Sequence, residues 1–206
     1  LTVLEIGSCG FGDDAAIAVL SSVIRPLTDY FRQSFAQVTN PAIDSLREKY
    51  VMSLNTYIGI KPDLVTKKEL HGYKLESPVL DNAQFDQITS ANNSWQRNLQ
   101  INLSYNKSES LKECLITLAN KCVREIASGI NVIILSDLGI QEDVLTIPAV
   151  LAIGAIHNRL VEAGLRHQVD LIVATASARD SHHFCVLLGY GATAIYPYLS
   201  YQLIAE

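Results

Sequence analysis

Asn131-Val132-Ile133-Ile134-Leu135-Ser136 opens the stretch that decides the fold, which runs from Gly129 to Leu199. It is a short apolar run rich in β-branched residues, and Ser136-Asp137-Leu138-Gly139 stops it with turn chemistry. Thr146 is suited to cap a helix with Pro148 in its first turn, where a missing N–H costs little. That helix runs through Ile156 and Leu160 to Gly164, a natural residue just past a helix end. Val169 to Val173 reads as the next buried strand, and Ser177 to Leu188 as the next helix, stopped at Gly189. Ala194-Ile195-Tyr196 is a last strand, ended by Pro197. Strands alternating with helices predict a parallel sheet with crossover helices. Function in such sheets sits at the carboxyl ends of the strands. Those ends are Ser136-Asp137, Ala174-Thr175-Ala176 and Tyr196-Pro197.

Working outward, Leu99, Ile101 and Leu103 alternate with polar residues, which predicts a half-buried strand. Ser110-x-x-Glu113 is a capping box opening a helix whose stripe is Leu111, Cys114, Leu115, Leu118, Cys122 and Ile126, with Gly129 at its end. Residues 60–98 hold Pro62, Gly72, Pro78 and the sole tryptophan, Trp95. They read as a polar, irregular excursion, long for a loop in a compact domain, and packing on a neighbour would explain it. Upstream, Thr28 to Val38 carries Phe31, Phe35 and Val38 at helical spacing. Ser45-Leu46-Arg47-Glu48 is a second capping box, opening a helix with Leu46, Tyr50, Val51, Leu54 and Ile58 on one face and ending at Gly59. The expectation is one α/β domain over residues 1–206, with a turn and helices in 1–59, the excursion in 60–98 and βα units in 99–206. A complete eightfold barrel takes about 250 residues and this zone holds about four units, so the sheet is expected to be partial and TIM-barrel-like.

Hydrophobic content of 49% and charged content of 18% fit a globular chain of 206 residues. A net charge of −5 argues against a nucleic-acid partner, because phosphate binding needs a basic face. No apolar run is long enough to span a bilayer. Leu1 is not an initiator Met and no basic region follows it, so the chain reads as a processed or excised piece. Cys9, Cys114, Cys122 and Cys185 form no C-x-x-C and read as reduced thiols.

Candidate chemistry is thin. Gly7, Gly10 and Gly12 are spaced G-x-x-G-x-G, which is neither a P-loop nor a dinucleotide fingerprint, and Asp13-Asp14 would repel a phosphate. A turn capping the next helix explains this segment better. His182-His183 looks like a metal pair, but neighbours on a helix point about 100° apart and cannot easily grip one ion. Ser177, Asp180 and His183 match a triad by residue type, without a nucleophile-elbow sequence, and Ser177 or Asp180 reads better as a helix cap. Gly189-Tyr190-Gly191-Ala192 reads as a helix end and a tight turn, with the left-handed backbone expected at Gly189. From the residues alone, no catalytic, cofactor or metal site emerges.

Several stretches together resemble the central domain of the glutamate synthase large chain. They are Gly12-Asp13-Asp14-Ala15-Ala16-Ile17-Ala18-Val19-Leu20-Ser21; Arg25-Pro26-Leu27-Thr28-Asp29-Tyr30-Phe31 with Phe35 to Pro41, Ile43-Asp44 and Arg47-Glu48; and Leu135-Ser136-Asp137-Leu138-Gly139 with Ile147 to Ala152. A fourth group is Gly164-Leu165-Arg166, His182-His183-Phe184 and Leu187 to Ala192, with Pro197-Tyr198-Leu199 behind. They keep the family's order and cover nearly the whole chain outside residues 60–98.

The resemblance implies a part of a cytoplasmic enzyme, or a plastid one in a photosynthetic eukaryote. The complete family enzyme joins a glutamine amidotransferase domain, this central domain, an FMN barrel with an iron–sulfur cluster, and a β-helix. Glutamine is hydrolysed in the first, and ammonia passes by a tunnel to the flavin domain, where 2-oxoglutarate becomes glutamate. The central domain would connect the two sites and help wall the tunnel, with Gly12, Asp13, Asp14 and Ala15 near it. The nucleophilic cysteine, the FMN and the cluster would lie outside this segment. The alternative is a free-standing, diverged copy acting as a non-catalytic interaction module. Against the family pattern, Ala15-Ala16 replace Thr-Pro, Ala174-Thr175-Ala176 replace Glu-Ser-Gly, Thr193 and Tyr196 replace Asp and Asn, and Leu138 replaces Arg.

Overall fold

The computed structural model describes Ser22 and residues 26–31, 43–60, 71–91, 93–139 and 144–205. After a 3-10 helix at Leu27–Tyr30, the elements are α1 (Ser45–Val51), β1 (Thr56–Ile60), β2 (His71–Leu75) and α2 (Asn82–Thr89). Then come β3 (Asn98–Asn102), β4 (Ser104–Tyr105), α3 (Leu111–Ala127), β5 (Val132–Ser136), β6 (Leu145–Thr146) and α4 (Ala149–Glu162). The chain finishes with β7 (Asp170–Ala174), α5 (Ser181–Gly189), β8 (Ala194–Tyr196) and α6 (Tyr198–Ala205).

The centre is a parallel sheet in the order β3-β5-β7-β8, with crossovers through α3, α4 and α5, so the fold is α/β as expected. Pro78 to Leu80 adds a short parallel bridge at the β8 edge, Val79 opposite Ile195. β1 and β2 form an antiparallel hairpin, and β4 pairs with β6.

Alternate residues of each strand face opposite ways, and here both ways are buried. Ile133, Leu135, Leu171, Val173 and Ile195 pack with the apolar stripes of α3, α4 and α5. Val132, Ile134, Ile172, Ala174 and Ala194 pack on Ile58, Leu75, Leu80, Phe85 and Ile88. The second cover comes from the hairpin and α2. Residues 60–98 are therefore not the irregular excursion expected of them: their described part supplies β2 and α2, and it packs on this chain's own sheet. A sheet apolar on both faces needs two layers, and Leu75, Leu80, Phe85 and Ile88 are spent on that contact.

Other boundaries differ as well. The helix expected to run from Ser45 to Gly59 stops at Val51, and its second half becomes β1, where Ile58 is fully buried. Leu46, Tyr50, Val51 and Leu54 are exposed. Asp44, not Ser45, caps α1, accepting from the Leu46 and Arg47 N–H groups. Of the helix expected over Thr28 to Val38, the described part is a 3-10 helix that ends at an extended Phe31. Ser110 stands at the start of α3 without a side-chain cap bond. Thr146 lies in β6, and Pro148 takes the cap position of α4.

α3, α4 and α5 all end in Schellman motifs, with Gly129, Gly164 and Gly191 beyond the cap. In α5 the left-handed residue is Gly191, at φ 112°, and not Gly189, which still belongs to the helix. Among the described residues, no helix is long and apolar enough to cross a membrane.

Candidate functional site

The carboxyl ends of β5, β7 and β8 bring together the residues singled out from the alternation. Thr175 and Asp137 are both buried. The Thr175 hydroxyl donates to Asp137 Oδ2 at 2.6 Å, and the Ala176 N–H donates to Oδ1 at 3.1 Å. A short O–H···O⁻ bond is of the charge-assisted kind. Thr175 has one hydroxyl proton and spends it there, so in its 2.9 Å contact with Ser177 the donor is Ser177. Ser136 Oγ accepts the Leu138 N–H and fixes the turn.

Tyrosines roof this edge. Tyr196 stacks on Phe85 at 4.1 Å and donates to Asn82 Oδ1. The Tyr198 hydroxyl donates to the Asp137 carbonyl at 3.4 Å. Burial first, and then the charge of Asp137, push the Tyr198 phenol well above its usual range. Burial also raises Tyr196 and Tyr201, with Asp86 and Asp81 respectively adding to it. All three phenols are held above their usual range, and Tyr196 and Tyr198 act as donors. The edge therefore offers a held carboxylate and uncharged hydroxyls.

The histidines serve the N-terminal part of the chain. His182 Nε2 donates to the Thr28 carbonyl at 3.0 Å. His183 Nδ1 accepts the Arg179 N–H, which leaves the ring proton on Nε2, facing Asp29 Oδ1 at 3.5 Å. Asp180 caps α5 through the His183 N–H. Ser177 bonds to Thr175, so the three residue types of a triad do not assemble as one. Among the described residues, no group of three or more His, Cys, Asp or Glu could hold a metal ion.

A second polar cluster lies at the opposite end of the sheet and escaped the sequence reading. Asp170, fully buried at the start of β7, accepts the Gly59 N–H at 2.8 Å and the Thr193 hydroxyl at 3.2 Å. Arg166 donates to His157 Nδ1 and to the carbonyls of Val169 and Gly191. Burial lowers the Arg166 guanidinium, and the charge of Asp170 partly restores it. Burial first and Arg166 second lower His157. The signal was present: a charged residue inside the apolar run Val169 to Val173 needs a buried partner.

Residues 5–206 match the model of the glutamate synthase central domain. The chain belongs to that family. It is 40% identical over 192 residues to the NADPH glutamate synthase large chain of Bacillus subtilis (strain 168), which covers 92% of this chain and 12% of that protein. It is 39% identical to the Azospirillum brasilense NADPH large chain, over 98% of this chain and 13% of that protein. It is 38% identical to the ferredoxin-dependent glutamate synthase of Pyropia yezoensis, over 93% of this chain and 13% of that protein. This glutamate synthase central domain thus spans about an eighth of the length of the curated relatives it matches.

Gly12, Asp13, Asp14 and Ala15 lie outside the described residues. Four of the described positions that depart from the family pattern are nevertheless integrated. Ala174 is buried in the second core, Ala176 donates to Asp137, Thr193 serves Asp170, and Tyr196 stacks on Phe85.

Proposed function

We propose that this segment is the connecting domain of a glutamate synthase, linking a glutamine amidotransferase domain to an FMN synthase domain and helping wall the ammonia tunnel between them. One observation carries the reading: the family match spans residues 5–206, yet the segment is only 12–13% of each relative. It is one part of a larger enzyme. The relatives are named for two different electron donors, NADPH and ferredoxin, which supports a role that does not select the donor. On this reading the segment itself is non-catalytic. Its partners are the other domains of the same polypeptide, and FMN and the iron–sulfur cluster belong to those domains. A cytoplasmic location, or a plastid one in a photosynthetic eukaryote, goes with it.

Gly12, Asp13, Asp14 and Ala15 are the proposed tunnel segment, on the strength of the family likeness. Aspartates suit such a turn because they accept backbone N–H bonds at a helix start. The test replaces Asp13 and Asp14 together by Ala in the full-length enzyme and compares ammonia-fed with glutamine-fed glutamate synthesis. Ammonia-fed synthesis is expected to persist while glutamine-fed synthesis falls and free ammonia escapes. Equal loss in both assays, or no change in either, would overturn the tunnel role.

A further inference from the structure

Asp137 is buried, and among the described residues its carboxylate has no Lys, Arg or His partner, Arg179 on the following loop included. It is held by the Thr175 hydroxyl at 2.6 Å and by the Ala176 N–H. Tyr198 bonds the Asp137 main-chain carbonyl and leaves the carboxylate without a counter-charge. A charge taken out of water normally keeps an opposite charge beside it. Leu138, the next residue, supplies none.

The direction of each proton along this edge follows from what each group can give. Thr175 has one hydroxyl proton, and it goes to Asp137. The two lone pairs of Thr175 Oγ1 are taken by the Ser177 N–H at 3.1 Å and by the Ser177 hydroxyl at 2.9 Å. The Ser177 proton therefore points inward. Ser177 is exposed, so its oxygen turns only lone pairs outward. Hydrogen bonds in series polarise one another, and the row Ser177, Thr175, Asp137 carries the pull of a buried negative charge to an outer oxygen. Ala176 and Ala178 on either side have no polar side chain to compete with it. Such an oxygen selects a ligand that is positively charged and donates a hydrogen bond. An anion or a group with only lone pairs gains nothing there.

We propose that Ser177, backed by Thr175 and Asp137, is a binding site for the ammonium ion. Ammonium answers the charge of Asp137 and gives an N–H to Ser177, whereas a potassium ion answers only the charge. Ser177 is the residue that touches the ion, and Thr175 and Asp137 are positioning residues behind it. The choice of ammonium among donor cations rests on the connecting-domain reading, in which nitrogen released from glutamine crosses this segment.

The experiment follows hydrogen exchange by mass spectrometry in the full-length polypeptide, on peptides that contain Ala176 and Ser177, whose N–H groups bond to Asp137 and Thr175. Ammonium, potassium and tetramethylammonium chlorides are compared at equal pH and equal chloride. Tetramethylammonium carries the charge but has no N–H. Ammonium is expected to slow exchange in these peptides several-fold and saturably, with potassium weaker and tetramethylammonium without effect. Ser177→Ala should lose the slowing. Ser177→Thr keeps the hydroxyl and should retain it, which separates loss of the ion from loss of the local fold. Slowing that potassium or tetramethylammonium reproduces, slowing unchanged in Ser177→Ala, equal loss in both variants, or no slowing at all would each overturn the site. The ammonia-fed and glutamine-fed assays judge the connecting role separately, so either idea can fail without the other.

Discussion

Asp137 and Asp170 sit on neighbouring strands of one parallel sheet, at opposite ends, and both are buried. Their partners differ in kind. Asp170 is held by Gly59, 111 residues away, and by Thr193 just before the adjacent strand β8, so it clamps the β1–β2 hairpin to the sheet. Asp137 is held by Thr175 and Ala176 at the adjacent strand end, in a chain of hydroxyls that reaches exposed Ser177. The amino edge is closed on itself and serves stability. The carboxyl edge presents polar groups outward, as the carboxyl ends of parallel strands generally do.

The sharpest way to break this contrast is to remove each carboxylate. Asp170→Ala takes the acceptor from a buried network and leaves Arg166 without its compensating charge. It should cost on the order of 4 kcal/mol. Asp137→Ala leaves the Thr175 hydroxyl able to donate to the neighbouring Ser177 instead and one N–H without its acceptor, and should cost about 1–2 kcal/mol. Urea midpoints would measure both. Equal losses would show that the two ends are not different in role.

Gly191 tests the amino-edge cluster from the backbone side. A Cβ there would run into the His157 ring, and φ is 112°. Gly191→Ala should therefore destabilise by about 3 kcal/mol. At Gly189 a Cβ meets nothing within 4 Å, and the residue is helical. Gly189→Ala should be neutral or stabilise by up to about 1 kcal/mol. The pair separates a strained helix end from a merely helical glycine. Opposite ranking of the two midpoints would place the strain where the sequence alone suggested it.

The smallest effect is a pH dependence confined to the amino edge. Burial and Arg166 hold the folded His157 below its ordinary 6.5, so the unfolded chain binds more protons as the solution is acidified. Its stabilising share is complete above pH 6.5 and is lost as pH falls below that value and through the folded pKa. His157→Gln keeps an acceptor for Arg166 but cannot titrate. Denaturation midpoints across this range should fall less steeply in the variant than in the parent, and parallel slopes would remove His157 from the account.

Much of the sheet was legible beforehand. Asn131 to Ser136, Val169 to Val173 and Ala194 to Tyr196 are apolar runs of strand length, and the helices between them end at glycines. Those signals are local, and local signals survive reading in isolation. The Ser45–Gly59 helix did not survive. Its apolar spacing fits 3.6 residues per turn, yet Thr56, Tyr57, Ile58 and Ile60 are β-branched or aromatic, and Ile58 gains a fully buried seat by pairing as β1. Tertiary burial outweighed the helical spacing. The α4 cap moved for a similar reason: Thr146 is taken by the pairing of β6 with β4, so the helix starts behind Pro148.

The amino-acid sequence by itself determined the alternation of strands and helices, the direction of the sheet and, through an ordered set of motifs, the family. Those depend on periodicity, turn residues and their order along the chain. Only the tertiary structure decided which residues cover the second sheet face, and that Asp170 and Arg166 form a buried cluster while Asp137 joins Thr175. Each of these brings together groups far apart in the chain, which no local pattern encodes.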